Sequence, residues 1–404
     1  MTTLSPATTT DRRKLTVIRA DRLFDGTDVI EGGAVVVVDR HTIVAADRAS
    51  QFTATDHADV VELPGATLLP GLVDTHVHLC LDASVDSVGH LAGLDDTALL
   101  AAMTAAARAN LRAGVTTVRD LGDRGYVSLR LRRARDADLP TILAAGPPIT
   151  SPGGHCHFLG GEASGIDGLR AAVRAHAERD VDVIKIMASG GHLTPGSQTD
   201  VPQFTRAELR AVVEEAHRFG LPVTAHAHSV QAITDALAVG VDGLEHLTFQ
   251  QDGRVVDAPQ DVLCTLVESQ VAVGLTLGIV PVPDLPIPPF FAENLPRMMA
   301  NVRRVVAVGA CTVLGTDAGI APVKPHGVLP LAVRQFAENG VTPRQALGAA
   351  TRVAADVIGL GHRKGRLATG YDADVLAVDD DPLDDLTALQ RVRAVYARGA
   401  RVST

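Results

Sequence analysis

Residues 71–79, with the sequence GLVDTHVHL, are the most informative stretch of the chain. Their apolar character and short length predict a buried β-strand over residues 71–77. His76 and His78 are two positions apart, so on a strand their side chains point to the same side. The stretch therefore predicts a buried strand whose C-terminal end carries two imidazoles on one face.

Seven further apolar segments follow, and amphipathic helical patterns separate them. Eight strand–helix units over roughly 290 residues match the number of units and the length of a (β/α)8 barrel, the α/β fold of the TIM type. A doubly wound sheet is the alternative, but the chain lacks its glycine-rich phosphate-binding turn. The further strands are predicted at residues 115–120, 141–146, 181–187, 222–228, 243–248, 271–277 and 311–317.

The two ends of the chain have a different pattern, made of short β-branched runs punctuated by Gly and Asp. This pattern predicts one small β-sandwich-like domain assembled from both termini. We expect a disordered tail at residues 1–13, the first part of the β-domain at 14–69, the barrel at 70–362 and the second part of the β-domain at 363–404.

Composition excludes several classes of protein. Lys and Arg total 37 against 47 Asp and Glu, a net charge of −10, and no basic block marks a nucleic-acid-binding surface. No apolar run has the length of a membrane span, and the N-terminus lacks the apolar core of a signal peptide. The four cysteines show no CxxC spacing. We therefore expect a cytoplasmic protein with neither nucleic-acid nor membrane partners.

Ionisable residues interrupt the predicted strands where barrel enzymes place their active sites, at the C-terminal ends. Any one of them alone is more often a hydrogen-bonded core residue than a ligand. Together they would be costly to bury unless paired or metal-bound, and imidazole and carboxylate suit zinc and similar divalent ions. The residues are His76, His78, Lys185, His226, His228, His246 and Asp317.

These segments resemble the amidohydrolase superfamily, in the group of Xaa-Pro dipeptidase-like, imidazolonepropionase-like and ochratoxinase-like members. The matching motifs are GLVDTHVHL (71–79), VIKIMASGG (183–191), VTAHAHS (223–229), GLEHLTF (243–249) and LGTDAG (314–319). The resemblance covers nearly the whole chain. It implies a hydrolase with two divalent metal ions, zinc being the first choice.

The resemblance also implies roles for these side chains. His76, His78 and Asp317 would hold one metal, His226 and His246 the other, and Lys185 would bridge both as a carbamate, N6-carboxylysine. A buried lysine amine loses its proton readily, which agrees with that modification. Asp317 would take a proton from a bridging water and deliver it to the leaving group. A deaminase-type site uses one metal and needs no such lysine, so Lys185 favours amide hydrolysis.

Four further residues are candidates for substrate contact. His155 lies in the loop SPGGHCHFLGGEASG (151–165), which resembles the family's GGH loop, where the histidine helps hold the substrate; His157 is an open alternative. His228 falls where relatives place a polar residue facing the substrate's carboxylate. Arg119 ends a predicted strand and pairs either with a substrate anion or with Asp120.

The segment GIVPVPDLPIPPFFAENLP (278–296) is rich in proline, which favours an extended course. We interpret it as a lid whose Phe290 and Phe291 line an apolar pocket, although a surface loop is the commoner outcome for such segments.

Taken together, the sequence predicts hydrolysis of an amide bond in a small N-acyl amino acid or dipeptide. The alternatives are a cyclic amide, a xenobiotic amide such as ochratoxin, and a catalytically inactive binding member. The partner is a small-molecule amide substrate, and a homo-oligomer is left open.

Overall fold

The structure is a computed structural model that describes residues 15–52, 58–134, 136 and 138–403. The predicted tail at residues 1–13 lies outside these ranges, and the domain boundaries stay predictions. The strands are β1 Leu15–Phe24, β2 Val29–Asp39, β3 Thr42–Arg48, β4 Asp59–Pro70, β5 Leu72–Val77, β6 Val115–Asp120, β7 Thr141–Ala144, β8 Ile184–Met187, β9 Val223–Ser229, β10 Gly243–Gln251, β11 Arg254–Val255, β12 Ala272–Thr276, β13 Thr312–Gly315, β14 Val375–Asp379, β15 Val392–Ala397 and β16 Ala400–Arg401.

The helices alternate with the strands in the middle of the chain. They are α1 Ser87–Gly93, α2 Asp96–Arg112, α3 Val127–Ala134, α4 Gly165–Ala177, α5 Arg206–Arg218, α6 Val230–Val239, α7 Gln260–Ser269, α8 Pro289–Ala307, α9 Leu329–Ala337, α10 Pro343–Ala349 and α11 Arg352–Val357.

Eight parallel strands form the predicted barrel, which the structure confirms. Hydrogen bonds join β5, β6 and β7 into one run and β8, β9, β10, β12 and β13 into another. Parallel bridges close the ring between the two runs, pairing Ile149 with Ile186 and Val77 with Ala318. Residues of β5, β6 and β9 are buried at every position, as expected where helices cover the outside of a parallel sheet.

Local sequence signals explain where several of the surrounding helices begin. Helices α5 and α10 each start with a complete capping box, formed by Thr205 with Glu208 and by Thr342 with Gln345. In each box two orphan backbone N–H groups receive side-chain acceptors. The helices are thereby held at defined starting points, which fixes the loops that precede them.

Strands from both ends of the chain form one seven-stranded sheet, in the order β16-β15-β14-β4-β1-β2-β3. This confirms the domain assembled from both termini. Strand β4 lies between β1 and β14 and ends at Pro70, so that Gly71 alone separates it from β5 of the barrel. The terminal sheet therefore anchors the strand that carries His76.

Among the described residues, no helix combines the length and the apolar character needed to cross a bilayer.

Candidate metal centre and active site

The ionisable residues predicted at the strand ends converge on one end of the barrel. His76 lies in β5, Lys185 in β8, His226 and His228 in β9, and His246 in β10, while Asp317 follows β13 by two residues. All six of these side chains and His78 line a single cavity of about 170 Å³. The structure thus brings together every residue for which a metal-binding role is predicted.

Three acceptor atoms meet in the first part of this cluster. His76 Nε2 lies 3.3 Å from His78 Nε2, and Asp317 Oδ1 lies 3.4 Å and 3.2 Å from these two atoms. His76 Nδ1 donates to a Glu245 carboxylate oxygen at 2.9 Å, and His78 Nδ1 donates to the Gly122 carbonyl at 3.1 Å. Since those partners only accept, each imidazole carries its proton on Nδ1 and turns the Nε2 lone pair inward. Such a cluster of lone pairs fits a bound cation.

A second set of imidazoles lies beside the first. His226 Nε2 donates to the Gly190 carbonyl at 3.0 Å, which leaves Nδ1 free to bind a metal. The His246 ring centroid lies 4.6 Å from that of His226 and 5.1 Å from that of His76. His246 therefore stands between the two sets, as two neighbouring metal ions would require. One ring nitrogen of His228 lies within 4.8 Å of a ring nitrogen of His226 and of His246, so His228 belongs to the same group.

Lys185 is the large polar side chain buried at the centre of the cluster, with an exposed fraction of 1%. Within the part of the chain that the structure describes, its Nζ has no hydrogen-bond partner. Burial lowers the pKa of this amine to about 8, against the opposing charges of Glu245 and Asp317. The amine therefore loses its proton readily. A buried amine without a hydrogen-bond partner in this position fits a carbamate that ligates metal.

Burial also sets the charge of the histidines. It lowers the pKa of His76 to about 4 and that of His155 to about 3. Burial lowers the pKa values of His226, His228 and His246 well below their usual range. Neutral imidazole is the form that binds metal, so these histidines are prepared for ligation at neutral pH. His78 differs: burial by itself would lower its pKa, but the hydrogen bond and the charge of Asp317 raise it.

Asp317 keeps its negative charge in this environment. Burial by itself would raise the pKa of its carboxyl group, yet the neighbouring His76 and His78 hold that pKa well below its usual range. Its backbone φ is +59°, and that of His246 is +76°. Non-glycine residues rarely adopt this left-handed region, and such strain is concentrated at functional sites. Both backbones are thus constrained to aim a ligand into the cavity.

Two glycines leave room for the imidazoles. A Cβ atom at Gly191 would lie 2.3 Å from His155 Nε2, and one at Gly315 would lie 2.4 Å from His76 Cβ. Any larger residue would displace the histidine that it faces.

The structure separates the four candidates for substrate contact. His155 and His228 line the cavity, and their Nδ1 atoms lie 3.1 Å from Thr194 Oγ1 and 2.8 Å from Thr248 Oγ1. His157 lies outside the cavity, where its Nδ1 donates to the Gly154 carbonyl. Of the two histidines in the GGH-like loop, His155 is therefore the one that faces the metal cluster.

The placement of Arg119 differs from both predicted alternatives, because it lies outside the cavity and its carboxylate partner is Glu245 and not Asp120. Its guanidinium lies 3.0 Å from Glu245 and donates to the Thr75 carbonyl at 2.7 Å. Arg119 borders a separate small pocket lined by residues at the N-terminal starts of β9 and β10. Its side chain thus points into the barrel away from the catalytic end, where it supports Glu245.

The segment 278–296 also differs in part from the predicted extended course. It is irregular only as far as Pro288, because helix α8 begins at Pro289, where a proline at the first helical position is favourable. Phe290 and Phe291 therefore lie in the first turn of α8, each with its ring centroid 4.8 Å from that of His192. Of the two, Phe291 lines the cavity.

Apart from Thr248, Thr276 and Lys324, the remainder of the cavity wall is largely apolar and rich in thioethers. Three of the five methionines of the chain, Met187, Met298 and Met299, line it. Methionine side chains adapt their shape to different apolar groups. The wall therefore suits an apolar substrate moiety without imposing one particular shape.

Sequence reasoning missed two residues of the site, Glu245 and Lys324. Glu245 is buried and bonds His76, Arg119 and Thr224. The signal was present, since a carboxylate in the apolar segment GLEHLTF needs a buried partner. Lys324 lines the cavity from the loop after β13. A loop residue has no strand periodicity to reveal where its side chain points.

The sequence and the structure of this chain are similar to those of known amidohydrolases and their relatives. The sequence profile of the amidohydrolase family matches residues 67–402. The chain is 28% identical over 435 residues to ochratoxinase of Aspergillus niger, covering 96% of this chain and 85% of that protein. It is 28% identical over 398 residues to imidazolonepropionase of Deinococcus deserti, covering 87% of this chain and 88% of that protein.

A solved structure of a Xaa-Pro dipeptidase with methionine bound in its active site is similar along the whole chain. It superimposes with a TM-score of 0.83 at 27% identity, covering 97% of this chain and 100% of the other. The shared fold therefore extends over the barrel and the terminal sheet together, whereas the family match covers the barrel and the C-terminal strands of that sheet.

Proposed function

This chain belongs to the amidohydrolase family and is a hydrolase acting on carbon–nitrogen bonds, and from that premise we propose that it cleaves the amide bond of a small N-acyl amino acid or dipeptide with a free carboxylate. The observation that carries the proposal is the convergence of His76 Nε2, His78 Nε2 and Asp317 Oδ1 beside the orphaned amine of Lys185. Such an arrangement of acceptors suits divalent cations at the end of an apolar cavity.

The donor set fits two metal ions. His76, His78 and Asp317 would hold one, and His226 and His246 would hold the other, with Lys185 between them. Zinc is the first choice, because imidazole and carboxylate ligands suit it. Two such ions supply a water of lowered pKa and polarise the scissile carbonyl.

Lys185 would act as N6-carboxylysine. The neutral amine attacks carbon dioxide, a nitrogen–carbon bond forms, one carbon–oxygen π pair moves to oxygen, and the amine proton is released to solvent. The product is an anion with two oxygen donors in place of a buried cation. The proposed carboxylation agrees with the lowered pKa of Lys185, because only the neutral amine reacts with carbon dioxide.

Asp317 would carry the proton during hydrolysis. Its carboxylate accepts a proton from the attacking water and donates it to the departing amine nitrogen, so the carboxylate is restored after each turnover. The depressed pKa of Asp317 keeps it ionised in the resting protein.

Substrate orientation would come from neutral imidazoles and the apolar wall. His155 and His228 each place one ring at the cavity surface and can offer an N–H to a substrate oxygen. Phe291, Met298 and Met299 offer an apolar surface for the substrate side chain. The cavity of about 170 Å³ favours a small substrate.

A xenobiotic amide such as ochratoxin is the second candidate. The similarity to ochratoxinase over 96% of this chain supports it. The completeness of the candidate ligand set argues against an inactive binding protein.

The proposal is tested by a substrate screen with protein loaded with zinc, manganese or cobalt. The panel contains dipeptides, N-acyl amino acids, cyclic amides and ochratoxin, and release of free amine is measured. We expect metal-dependent turnover of N-acyl amino acids or dipeptides. Turnover confined to cyclic amides would contradict the proposed substrate class, and turnover confined to ochratoxin would establish the second candidate.

A further inference from the structure

The cavity contains a buried cation for which the proposed chemistry has no use. Lys324 lies in the loop after β13, with an exposed fraction of 7%. Its ammonium donates to the Thr276 carbonyl at 2.8 Å and to the Leu277 carbonyl at 3.0 Å. These two neutral acceptors engage two of its three N–H groups.

Lys324 makes no ion pair with a carboxylate among the described residues. Asp317 is the one acidic side chain among the described residues that line the cavity, and it is directed at His76 and His78. Burial lowers the pKa of Lys324 to about 8, while the more distant charges of Asp317 and Asp74 act in the opposite direction. The side chain is therefore mostly protonated at pH 7, although a buried charge is costly without a counter-ion.

Lysine is rare among the basic residues of this chain. Only four of the 37 basic residues are lysines: Lys14, Lys185, Lys324 and Lys364. Of these, Lys364 is buried against Asp372 and Asp374, and Lys185 is the proposed carbamate. Lys324 is thus the buried lysine to which neither a carboxylate partner nor a modification is assigned.

We propose that Lys324 binds the carboxylate of the substrate and so makes the enzyme selective for amides that carry an anionic group. The proposal rests on the proposed amide hydrolysis and adds its specificity-determining residue. His155 and His228 are neutral and can each donate one uncharged hydrogen bond. Lys324 adds the positive charge, and charge-assisted hydrogen bonds are roughly twice as strong as neutral ones.

The neighbours of Lys324 agree with this role. The loop that carries it is pinned by the Gly319 N–H, which donates to the Lys324 carbonyl, and by the Lys324 N–H, which donates to the Ala321 carbonyl, both at 2.8 Å. Ile320 and Ile279 line the same cavity. A substrate would therefore meet a fixed cation next to apolar walls, with its scissile amide directed at the metal cluster.

The test compares Lys324→Gln with the wild-type protein on N-acetyl-L-leucine and its primary amide. Glutamine retains an N–H donor for the backbone carbonyls but has no charge. We expect the wild-type protein to prefer the free acid, and the variant to lose roughly 10- to 150-fold in kcat/KM on the free acid, mainly through KM. On the primary amide the variant should stay within about threefold of wild type.

Two further variants serve as controls. Lys324→Arg retains the charge and should keep a preference for the free acid. Arg130→Met removes a positive charge from an exposed position on α3 and should leave both substrates unaffected. Thermal unfolding of all variants identifies any that fail to fold.

Binding separates this proposal from the proposed hydrolysis. The probes are the ketomethylene analogue of N-acetyl-L-leucine, in which a CH2 group replaces the amide nitrogen, and the primary amide of that analogue. Calorimetry on metal-loaded protein should show tighter binding of the acid, and Lys324→Gln should remove the difference even if no amide is hydrolysed. Equal losses on both probes, or an unchanged preference, would overturn the role of Lys324; an equal fall in kcat on both substrates would instead indicate that Lys324 acts through Asp317.

Discussion

Replacing Asp317 by asparagine is expected to lower kcat by roughly 100- to 10,000-fold, the usual contribution of general acid–base catalysis. The amide has nearly the shape of the carboxylate but cannot accept a proton from water. Asp317 Oδ1 lies 3.4 Å from His76 Nε2 and 3.2 Å from His78 Nε2, so the substitution would also remove the charge of a proposed metal ligand. Steady-state kinetics with metal-loaded protein measures the effect.

Metal content separates the two roles of Asp317. A variant that retains its metal but loses turnover has lost the proton carrier, whereas a variant that loses metal has lost the ligand first. Asp261→Asn provides the matched control, because it makes the same chemical change at an exposed position in the first turn of α7. Wild-type turnover by Asp317→Asn with full metal content would contradict the assigned role.

Lys185→Ala is expected to reduce activity by about 1,000-fold or more and to lower the metal content below two ions per chain. The proposed carbamate would supply anionic oxygen donors to the metal site, and losing them would remove several kcal/mol of transition-state stabilisation. Elemental analysis and kinetics on the same preparation measure both effects. The cavity that alanine leaves can admit a short carboxylic acid, so acetate or propionate should restore part of the activity.

Lys185→Met is the matched control for this rescue. Its side chain fills nearly the same space as lysine and has no amine, so acetate should find no room and restore nothing. Rescue of the alanine variant alone would support a bridging carboxylate. Full metal content and normal turnover in Lys185→Ala would show that the lysine is not a ligand.

The barrel and the strand-end cluster could be predicted from the sequence because strand periodicity carries the information. His76 and His78 share a face through their spacing of two residues, and the apolar segments around Lys185, His226 and His246 end at the same face of a parallel barrel. These features depend on local sequence alone. The structure accordingly places all eight predicted barrel strands within a few residues of their predicted bounds.

Side-chain direction outside the strand ends could not be predicted in the same way. Arg119 precedes the last residue of β6, yet its guanidinium turns towards Glu245 and away from the cavity. The choice between His155 and His157 depends on a loop with no period. Lys324 was missed for the same reason, since its position is determined by two long-range hydrogen bonds, to the carbonyl of the last residue of β12 and to that of the residue after it.

The extended course predicted for the end of the segment 278–296 was wrong for a different physical reason. Its prolines favour an extended course, but a proline at the first position of a helix is equally favourable because its missing N–H has no helical partner there. Pro289 begins α8 in this way, so Phe290 and Phe291 belong to a helix. Composition alone could not distinguish the two outcomes.

The central claim is that four histidines, Lys185 and Asp317 together hold two metal ions. It is tested most directly by elemental analysis of protein purified without chelators and supplied with bicarbonate, which converts to the carbon dioxide needed by Lys185. The account predicts close to two divalent ions per chain, with zinc as the first expectation. A stoichiometry near zero in folded protein would contradict it.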